Sequence, residues 1–294
     1  MRLIGGKVGA VLPCKVVSIA SGFDCADVVL ITAISEEQKA LKKCFGVSFE
    51  TQMRDGIHYS VGTIKRDERF LRIAAVRPAE MGPISAAVVA TRAIRDWNPS
   101  SIVMTGICAG MEGMVRLGDL VIASQVFDHV AGTFRDGHLI PFQQSVSQEP
   151  WLLQFLGSLR EDRRAMNRLF DSCARPAAVD QVSEVHVGAM ASGSFVVKDA
   201  AYMRSLLDKT SKLLALDMES FGVASAAKMC STLRRPVGWL VVKGVVDYGD
   251  ALKGDDWHEY CCFVSAKFAR LALELLLTRD KAYQFMADQR GHGL

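Results

Sequence analysis

Two acidic side chains stand two residues apart at the end of an apolar run in the segment LALDMESFGV. Asp217 and Glu219 follow KLLAL, which predicts a buried strand, and precede SFGVASAAKMC, which predicts a helix with a face of small residues. A buried carboxylate needs a partner, because removing its charge from water costs several kcal/mol. The two acids therefore indicate a ligand pocket or a buried ion pair at this strand end.

Charged residues also mark two other predicted strand ends. Asp247 follows the apolar run VGWLVVKGVV, and Lys243 lies inside that run, where its ammonium either extends to water or meets a buried acid. Glu36 and Glu37 follow VVLITAI. Taken alone, these glutamates are typical of the first turn of a helix, with Ser35 as its N-cap. Together with the buried lysine, the acids favour a site.

A fourth strand end, after SIVMT, carries the glycine-rich segment GICAGMEGMVRLG. Gly106, Gly110 and Gly113 have neither the G-x-G-x-x-G spacing nor that of a Walker loop, so neither nucleotide fingerprint is present. Glycines at a strand exit let backbone amides approach a ligand closely. Thr105 and Gly106 are therefore candidate substrate-binding residues, and a tight crossover turn is the alternative.

The elements that must position these residues alternate between strands and helices. Such alternation predicts an α/β fold whose mostly parallel sheet is covered on both faces, with ligands beyond the carboxyl ends of the strands. The predicted strands are 28–34, 57–64, 70–76, 101–105, 119–127, 185–191, 212–216 and 237–246. The predicted helices are 35–46, 83–97, 151–170, 199–208, 218–230 and one within 256–277, while 128–150 reads as a loop. We predict one domain at 27–278, an N-terminal extension at 1–26 and a C-terminal tail at 279–294.

Composition narrows the classes of function. The 294 residues have a net charge of only +3 and no basic block, which argues against a nucleic-acid partner. No run reaches the 18 or more apolar residues of a membrane span, and Lys7 and Lys15 interrupt the apolar N-terminus, so we expect no export signal. The eight scattered cysteines form no zinc pattern and indicate a reducing compartment. We therefore expect a cytoplasmic protein without a metal ion or cofactor.

Four segments together resemble a known family. ITAISEEQKAL, VMTGICAGMEGMVRLGDLVIASQV, LDMESFGVASAA and VVKGVVDYGD are similar, in order, to the nucleoside phosphorylase and nucleosidase superfamily. The greatest similarity is to methylthioadenosine/S-adenosylhomocysteine nucleosidases and to nucleosidase domains attached to immune-type effector proteins. DDWHEYCCFVSAKFARLALELL resembles the effector-associated branch. The resemblance implies a three-layer αβα sandwich around a twisted mixed, mostly parallel sheet, in a homo-oligomer.

The resemblance also implies roles in cleaving an N-glycosidic bond. Glu219 would bind the ribose hydroxyls, with Met218 packed against the sugar. Asp247 would donate a proton to purine N7, and Glu37, more than its neighbour Glu36, would activate the attacking water.

Three further positions carry weaker implications. Lys243 would organise this end of the site, although relatives often have Arg there. Val246 stands where nucleosidases often have Ser, so Asp247 must be held by another group. Either Phe195 or Val196 would stack on the base, and the alternative is that Phe195 belongs to the core.

The sequence favours hydrolysis of a purine nucleoside or nucleotide, with release of the free base. Similar phosphorylases carry Arg before the TG turn, where this chain has Met104 and Thr105, so we expect water as the nucleophile. The alternatives are a methylthioadenosine/S-adenosylhomocysteine salvage nucleosidase, a phosphate-dependent phosphorylase and a non-catalytic purine sensor. We expect the 128–150 loop to border the 5′ end, where His129, Arg135 and His138 would meet phosphates or remain solvated. The apolar residues of the 128–150 loop would instead suit a thioether group at the 5′ position of the substrate.

Overall fold

The computed structural model describes most of the predicted domain. Its described ranges are 25–66, 68–136, 138–142, 144–176, 182–210, 212–250 and 256–278. The predicted tail at 279–294 lies outside these ranges, as does the predicted extension except for Cys25 and Ala26. None of the helices in these ranges is long and apolar enough to cross a membrane.

Strands and helices alternate through most of these ranges. The strands are β1 (Val28–Ile31), β2 (Glu50–Arg54), β3 (Ile57–Arg66), β4 (Arg69–Val76), β5 (Ser101–Gly110), β6 (Leu120–Asp128), β7 (Gly132–Arg135), β8 (His138–Pro141), β9 (Ser145–Ser147), β10 (Val185–Ser192), β11 (Leu213–Asp217) and β12 (Gly238–Asp247). The helices are α1 (Ser35–Phe45), α2 (Pro83–Trp97), α3 (Pro150–Glu161), α4 (Arg163–Asp171), α5 (Ala200–Lys209), α6 (Ser220–Cys230) and α7 (His258–Thr278).

One mixed sheet of ten strands forms the centre of the protein. Its order is β11-β10-β6-β12-β5-β1-β4-β3-β2, and β9 pairs with β6. The pairs β12–β5, β5–β1 and β1–β4 are parallel, whereas β2, β3 and β4 form an antiparallel margin. β11 also pairs with β5, so five strands close on themselves. The remaining two strands, β7 and β8, form a separate hairpin.

Helices cover both faces of the sheet, which confirms the three-layer αβα fold. One apolar core packs α2 and α6 against the sheet, and the other packs α1, α3, α4 and α7 against the opposite face. All four residues of β1 are buried, as expected for a central parallel strand covered on both sides. Burying each such side chain stabilises the fold by about 1.5–3 kcal/mol.

Two parts of the chain differ from the sequence prediction. The predicted helix at 151–170 is two helices, because Asp162 ends α3 and its Oδ1 accepts the amide proton of Ala165 as the N-cap of α4. The predicted loop at 128–150 contains the strands β7, β8 and β9. The first error concerns a local cap inside a continuing helical period, and the second concerns strands of only three or four residues.

The topology brings the four acid- or glycine-bearing strand ends together. β1, β5 and β12 are parallel neighbours, so their carboxyl ends meet at one edge. β11 reaches the same place because Ala215 and Leu216 pair with Gly110 and Ala109 at the end of β5. The closing contact of the sheet therefore carries Asp217 to the edge where Asp247 ends β12.

Two helical glycines should respond differently to substitution, because one lies at the contact between α2 and α6 and the other faces open space. A Cβ on Gly222 in α6 would overlap the carbonyl oxygen of Pro83 in α2, so Gly222→Ala should destabilise the protein by about 1–3 kcal/mol. A Cβ on Gly157, inside α3, would meet nothing within 4 Å, so Gly157→Ala should stabilise it by about 0.5–1 kcal/mol. Urea unfolding of the two variants measures both effects. Equal stability of the two variants would show that the helices do not depend on this close approach.

Candidate active site

Glu37 is held in place by three backbone amides. Its Oε2 accepts from Ala33 N at 2.5 Å and Ile34 N at 3.2 Å, and its Oε1 accepts from Ile107 N at 3.0 Å. Ile34, and not Ser35 as predicted, is therefore the N-cap residue of α1, and the Glu37 side chain satisfies its amide. Because both oxygens are fixed between β1 and β5, the carboxylate is buried yet kept at the strand ends.

Thr105 and Gly106 lie behind Glu37 and not on the wall of the site. A Cβ at Gly106 would overlap the Glu37 carboxylate, so only glycine leaves room for the acid. Thr105 is buried within β5, opposite Val242 of β12. Gly106 therefore leaves room for the acid, while the predicted contact of Thr105 and Gly106 with a substrate stays a prediction.

Asp217 has two kinds of partner, a buried cation and the start of a helix. Its Oδ2 lies 3.2 Å from Lys243 Nζ, which forms a buried ion pair. Its carboxylate also accepts from the amide of Ser220 at 3.1 Å and from the Ser220 hydroxyl at 2.6 Å. The acid thus joins β12 to the first turn of α6.

Lys243 is a fully buried cation surrounded by carboxylates. Burial alone would lower the pKa of its ammonium, but Asp217, Glu37 and Glu219 together raise it above its usual range. Although Nζ is close to Asp217, its direction does not meet hydrogen-bond geometry with any described residue. The attraction is therefore mainly Coulombic, on the order of 4 kcal/mol for one such pair at an effective dielectric of about 20.

Glu219 is the acid whose protonation is most altered by this environment. Its Oε1 accepts from the amide of Gly82, at the start of α2, at 2.8 Å. Burial raises its pKa to about 7, and Asp217 and Glu37 add to the rise, while Lys243 and the Gly82 amide oppose it. The carboxyl group therefore changes charge near neutral pH.

A β-bulge sets the direction of Asp247. The register between β12 and β5 shifts between Val245 and Asp247, and Val246 packs into the core on the α7 side. The bulge turns the following side chain toward the strand ends. Asp247 Oδ1 accepts from Gly249 N at 2.8 Å. This amide holds the acid in place without the serine that relatives often carry at position 246.

These groups surround one cavity of about 270 Å³. Six of the predicted site residues line it, namely Glu37, Phe195, Val196, Met218, Glu219 and Asp247. Among the described residues, Thr105, Gly106 and Lys243 do not line it. Asp217 adds a fourth carboxylate to the wall. In the described part of the chain, no group of three or more His, Cys, Asp or Glu could hold a metal ion.

Phe195 lies at the rim of the cavity and not in the core, so the core alternative is wrong. Its side chain is 44% exposed, and its ring meets His129 and Tyr202 with centroids 5.4 and 5.8 Å apart. His129 is buried, and its Nδ1 lies 2.8 Å from the Tyr202 hydroxyl. Burial lowers the pKa of His129. This histidine therefore supports the rim aromatic and is not an exposed phosphate contact.

The predicted role of the 128–150 loop at the 5′ end gains no support. Arg135 lies in β7 and His138 in β8, and both strands belong to the separate two-stranded sheet. No described residue between 128 and 150 lines the cavity.

Sequence reasoning missed several residues that line the cavity. They include Met81, before α2, and His258, at the start of α7. Each belongs to the beginning of a helix that follows a parallel strand, β4 or β12. Such helices begin at the carboxyl edge of the sheet, so the rule that located the acids also indicated these two residues.

Comparison with known proteins places this geometry in a family. The sequence model of the phosphorylase superfamily matches residues 27–278. The chain belongs to the phosphorylase superfamily.

Its relatives include proteins that are longer. The protein y4jS of Sinorhizobium fredii is 29% identical over 267 residues, covering 87% of this chain and 63% of y4jS. The ATP nucleosidase Cap17 of Escherichia coli is 25% identical over 256 residues, covering 81% of this chain and 49% of Cap17. The chain therefore spans about half to two thirds of the length of these curated relatives.

A solved structure shares the fold. The 5′-methylthioadenosine/S-adenosylhomocysteine nucleosidase of Helicobacter pylori superimposes with a TM-score of 0.68 at 17% identity. The match covers 86% of this chain and 100% of that one.

The raised pKa of Glu219 predicts a pH dependence of stability. Between pH about 4.5 and 7, the folded protein keeps the Glu219 proton that the unfolded chain loses, so rising pH destabilises the fold. Relative to Glu219→Gln, the wild type should lose on the order of 2–3 kcal/mol of unfolding free energy across this window, since one pKa unit corresponds to about 1.4 kcal/mol. Urea unfolding at a series of pH values measures the difference.

The exposed substitution Glu161→Gln is the control and should follow the wild type at every pH. Parallel curves for the wild type and Glu219→Gln would contradict the assignment.

Proposed function

We propose that this protein hydrolyses the N-glycosidic bond of a purine nucleoside or nucleotide and releases the free base, with an adenine nucleotide as its substrate. The observation that carries the proposal is the convergence of Glu37, Glu219 and Asp247 on one cavity. Each has a different set of backbone partners. Three acids in different environments suit three different tasks.

In the proposed reaction, the ribose carries positive charge as the bond breaks. Glu219, as carboxylate, accepts hydrogen bonds from the 2′- and 3′-hydroxyls and stabilises that charge. The electrons of the bond between C1′ and the base stay with the base, which takes a proton from Asp247 at N7. A water oxygen bonds to C1′, and Glu37 takes a proton from this water. Transfer of that proton to Asp247 through solvent restores both acids.

The surroundings of the acids suit these tasks. Glu37 keeps about one acceptor position for water, because a carboxylate offers about four lone-pair sites and three are used by amides. Phe195 presents an exposed ring at the rim, where a purine would stack. Met218 lies beside Glu219 on the cavity wall, where the sugar would pack.

Several observations favour this function over its alternatives. A phosphate dianion, as required for phosphorolysis, would meet four carboxylates, and the buried Met104 stands in place of an arginine. A sensor without chemistry does not require all three acids at one cavity. The relative named ATP nucleosidase supports a nucleotide, whereas the structural neighbour named for methylthioadenosine supports a salvage substrate.

The assembly and the cellular location also remain proposals. Ile84 on α2 and Met229 on α6 are large exposed apolar side chains on two helices that pack against each other, which suits a homo-oligomer contact. The seven described cysteines are free thiols, consistent with a cytoplasmic protein.

Product analysis tests the reaction directly. Purified protein with ATP, AMP, adenosine or methylthioadenosine should release free adenine and a ribose product at a rate independent of phosphate. Chromatography of the base and the sugar identifies both products. A requirement for phosphate, with ribose-1-phosphate as product, would overturn hydrolysis, and a tenfold lead of methylthioadenosine in kcat/KM would overturn the nucleotide substrate.

Asp247→Asn provides the matched test of mechanism in the same assay. The amide keeps an oxygen for the Gly249 N–H but cannot donate the same proton, so turnover should fall by about 10²–10⁴-fold with little change in substrate binding. Asp171→Asn, on the exposed side of α4, is the control. Turnover of Asp247→Asn within about threefold of the wild type would mean that the base leaves without this acid.

A further inference from the structure

A second concave surface, which we call the basic groove, lies beside the cavity. It has a volume of about 510 Å³ and is formed by residues of α1, α2, β3 and the segment after β4. The residues used below are Gln38, Lys42, His58, Arg77, Ala79 and Arg92.

The described lining of the groove carries positive charge and no acidic side chain. Lys42, Arg77 and Arg92 line it with His58, and its described lining contains no Asp or Glu. Arg77 and Arg92 donate to the backbone carbonyls of Pro78 and Asp55, respectively. Among the described residues, no carboxylate pairs with Lys42, Arg77 or Arg92. Elsewhere arginines do pair, as Arg116 does with Glu184 at 2.7 Å. Three cations converge on one concave surface, which is typical of an anion site.

Two segments of chain connect the groove to the cavity. On α1, Glu37 lines the cavity and the next residue, Gln38, lines the groove. After β4, Ala79 lines the groove and Met81 lines the cavity. Since consecutive Cα atoms are about 3.8 Å apart, the two concave surfaces are immediate neighbours.

We infer that the basic groove binds the 5′-phosphate chain of a nucleotide whose base and ribose occupy the cavity. This inference rests on the proposed function. Glu219, the proposed ribose ligand, is bonded to Gly82, so the ribose lies beside the segment that leads to Ala79 and Arg77. The 5′ carbon can therefore point toward the groove.

Charge explains why a nucleotide needs the groove and a nucleoside does not. The cavity wall carries four carboxylates, which suit a cationic ribose but repel a phosphate chain. Arginine and lysine bind phosphate oxygens through charge-assisted hydrogen bonds. The groove offers these donors next to the cavity, in a lining that contains no described Asp or Glu. It also supplies the phosphate contacts that the 128–150 loop does not.

The test measures kcat/KM for ATP and for adenosine in variants of the groove. Arg77→Gln alone should lower the value for ATP by about tenfold, and the combined Lys42→Gln, Arg77→Gln and Arg92→Gln variant by about 100-fold or more, since each loses charge-assisted hydrogen bonds to phosphate oxygens. The value for adenosine should change by less than threefold. Lys39→Gln, which removes an exposed charge on α1 outside the groove, should leave both values unchanged.

Higher salt should also reduce the ratio of kcat/KM for ATP to kcat/KM for adenosine, because salt screens the attraction between the groove and the phosphates.

Each outcome separates the groove from the chemistry. An equal loss for ATP and adenosine, or no loss for ATP, would overturn the inference. Cleavage of adenosine without cleavage of ATP would overturn the inference and leave the nucleosidase reaction intact. If neither ATP nor adenosine is cleaved, the proposed function fails, and calorimetry with tripolyphosphate then tests the groove as an anion site. Binding to the wild type that is lost in the combined variant supports the anion site. Binding that is equal in the two proteins overturns it. Because Arg77 is exposed, Arg77→Gln keeps the test valid if the combined variant does not fold.

Discussion

The buried ammonium group of Lys243 stabilises negative charge in a cluster of four carboxylates at one edge of the sheet. Lys243 has no exposed surface, yet it lies inside β12, the strand that ends at Asp247. Burying one charge without a partner costs several kcal/mol, and here the partners are Asp217 at 3.2 Å and the more distant Glu37 and Glu219. The surrounding carboxylates offset the cost of burying the Lys243 ammonium in a core strand. The ammonium in turn offsets part of the cost of burying the carboxylates.

Backbone amides then give each acid a separate character. Glu37 accepts hydrogen bonds from three amides, those of Ala33 after β1, of the N-cap Ile34 and of Ile107 in β5, which fixes both oxygens. Asp247, after a bulge, accepts a hydrogen bond from the amide of Gly249. Glu219 accepts one from the amide of Gly82 at the start of α2. These donors come from strand ends and helix starts, so the topology of the sheet determines them. One lysine thus lies near the whole cluster, while different backbone amides give Glu37, Asp247 and Glu219 the different surroundings that their proposed roles require.

Local patterns predicted the layers of the fold and the acids of the site. A charge inside an apolar strand requires a partner, and carboxylates at neighbouring strand ends can supply one, so Lys243, Asp217 and Asp247 were visible in the sequence. The break at Asp162 and the short strands after residue 128 were missed, because the helical period continues across the Asp162 cap and the strands have only three or four residues each. The basic groove was also invisible, since its cations come from α1, α2 and the segment after β4, and only the folded chain brings them together.

The central claim is that Lys243 and Asp217 act as a unit that holds the site, and a double-mutant cycle in urea unfolding tests it most directly. Lys243→Met and Asp217→Asn should each destabilise the protein by about 3–5 kcal/mol, since each leaves a buried charge without its nearest partner. The double variant should lose much less than the sum of the two, because it leaves neither charge behind. Losses that add to within about 0.5 kcal/mol would contradict the claim and show that the two residues stabilise the fold independently.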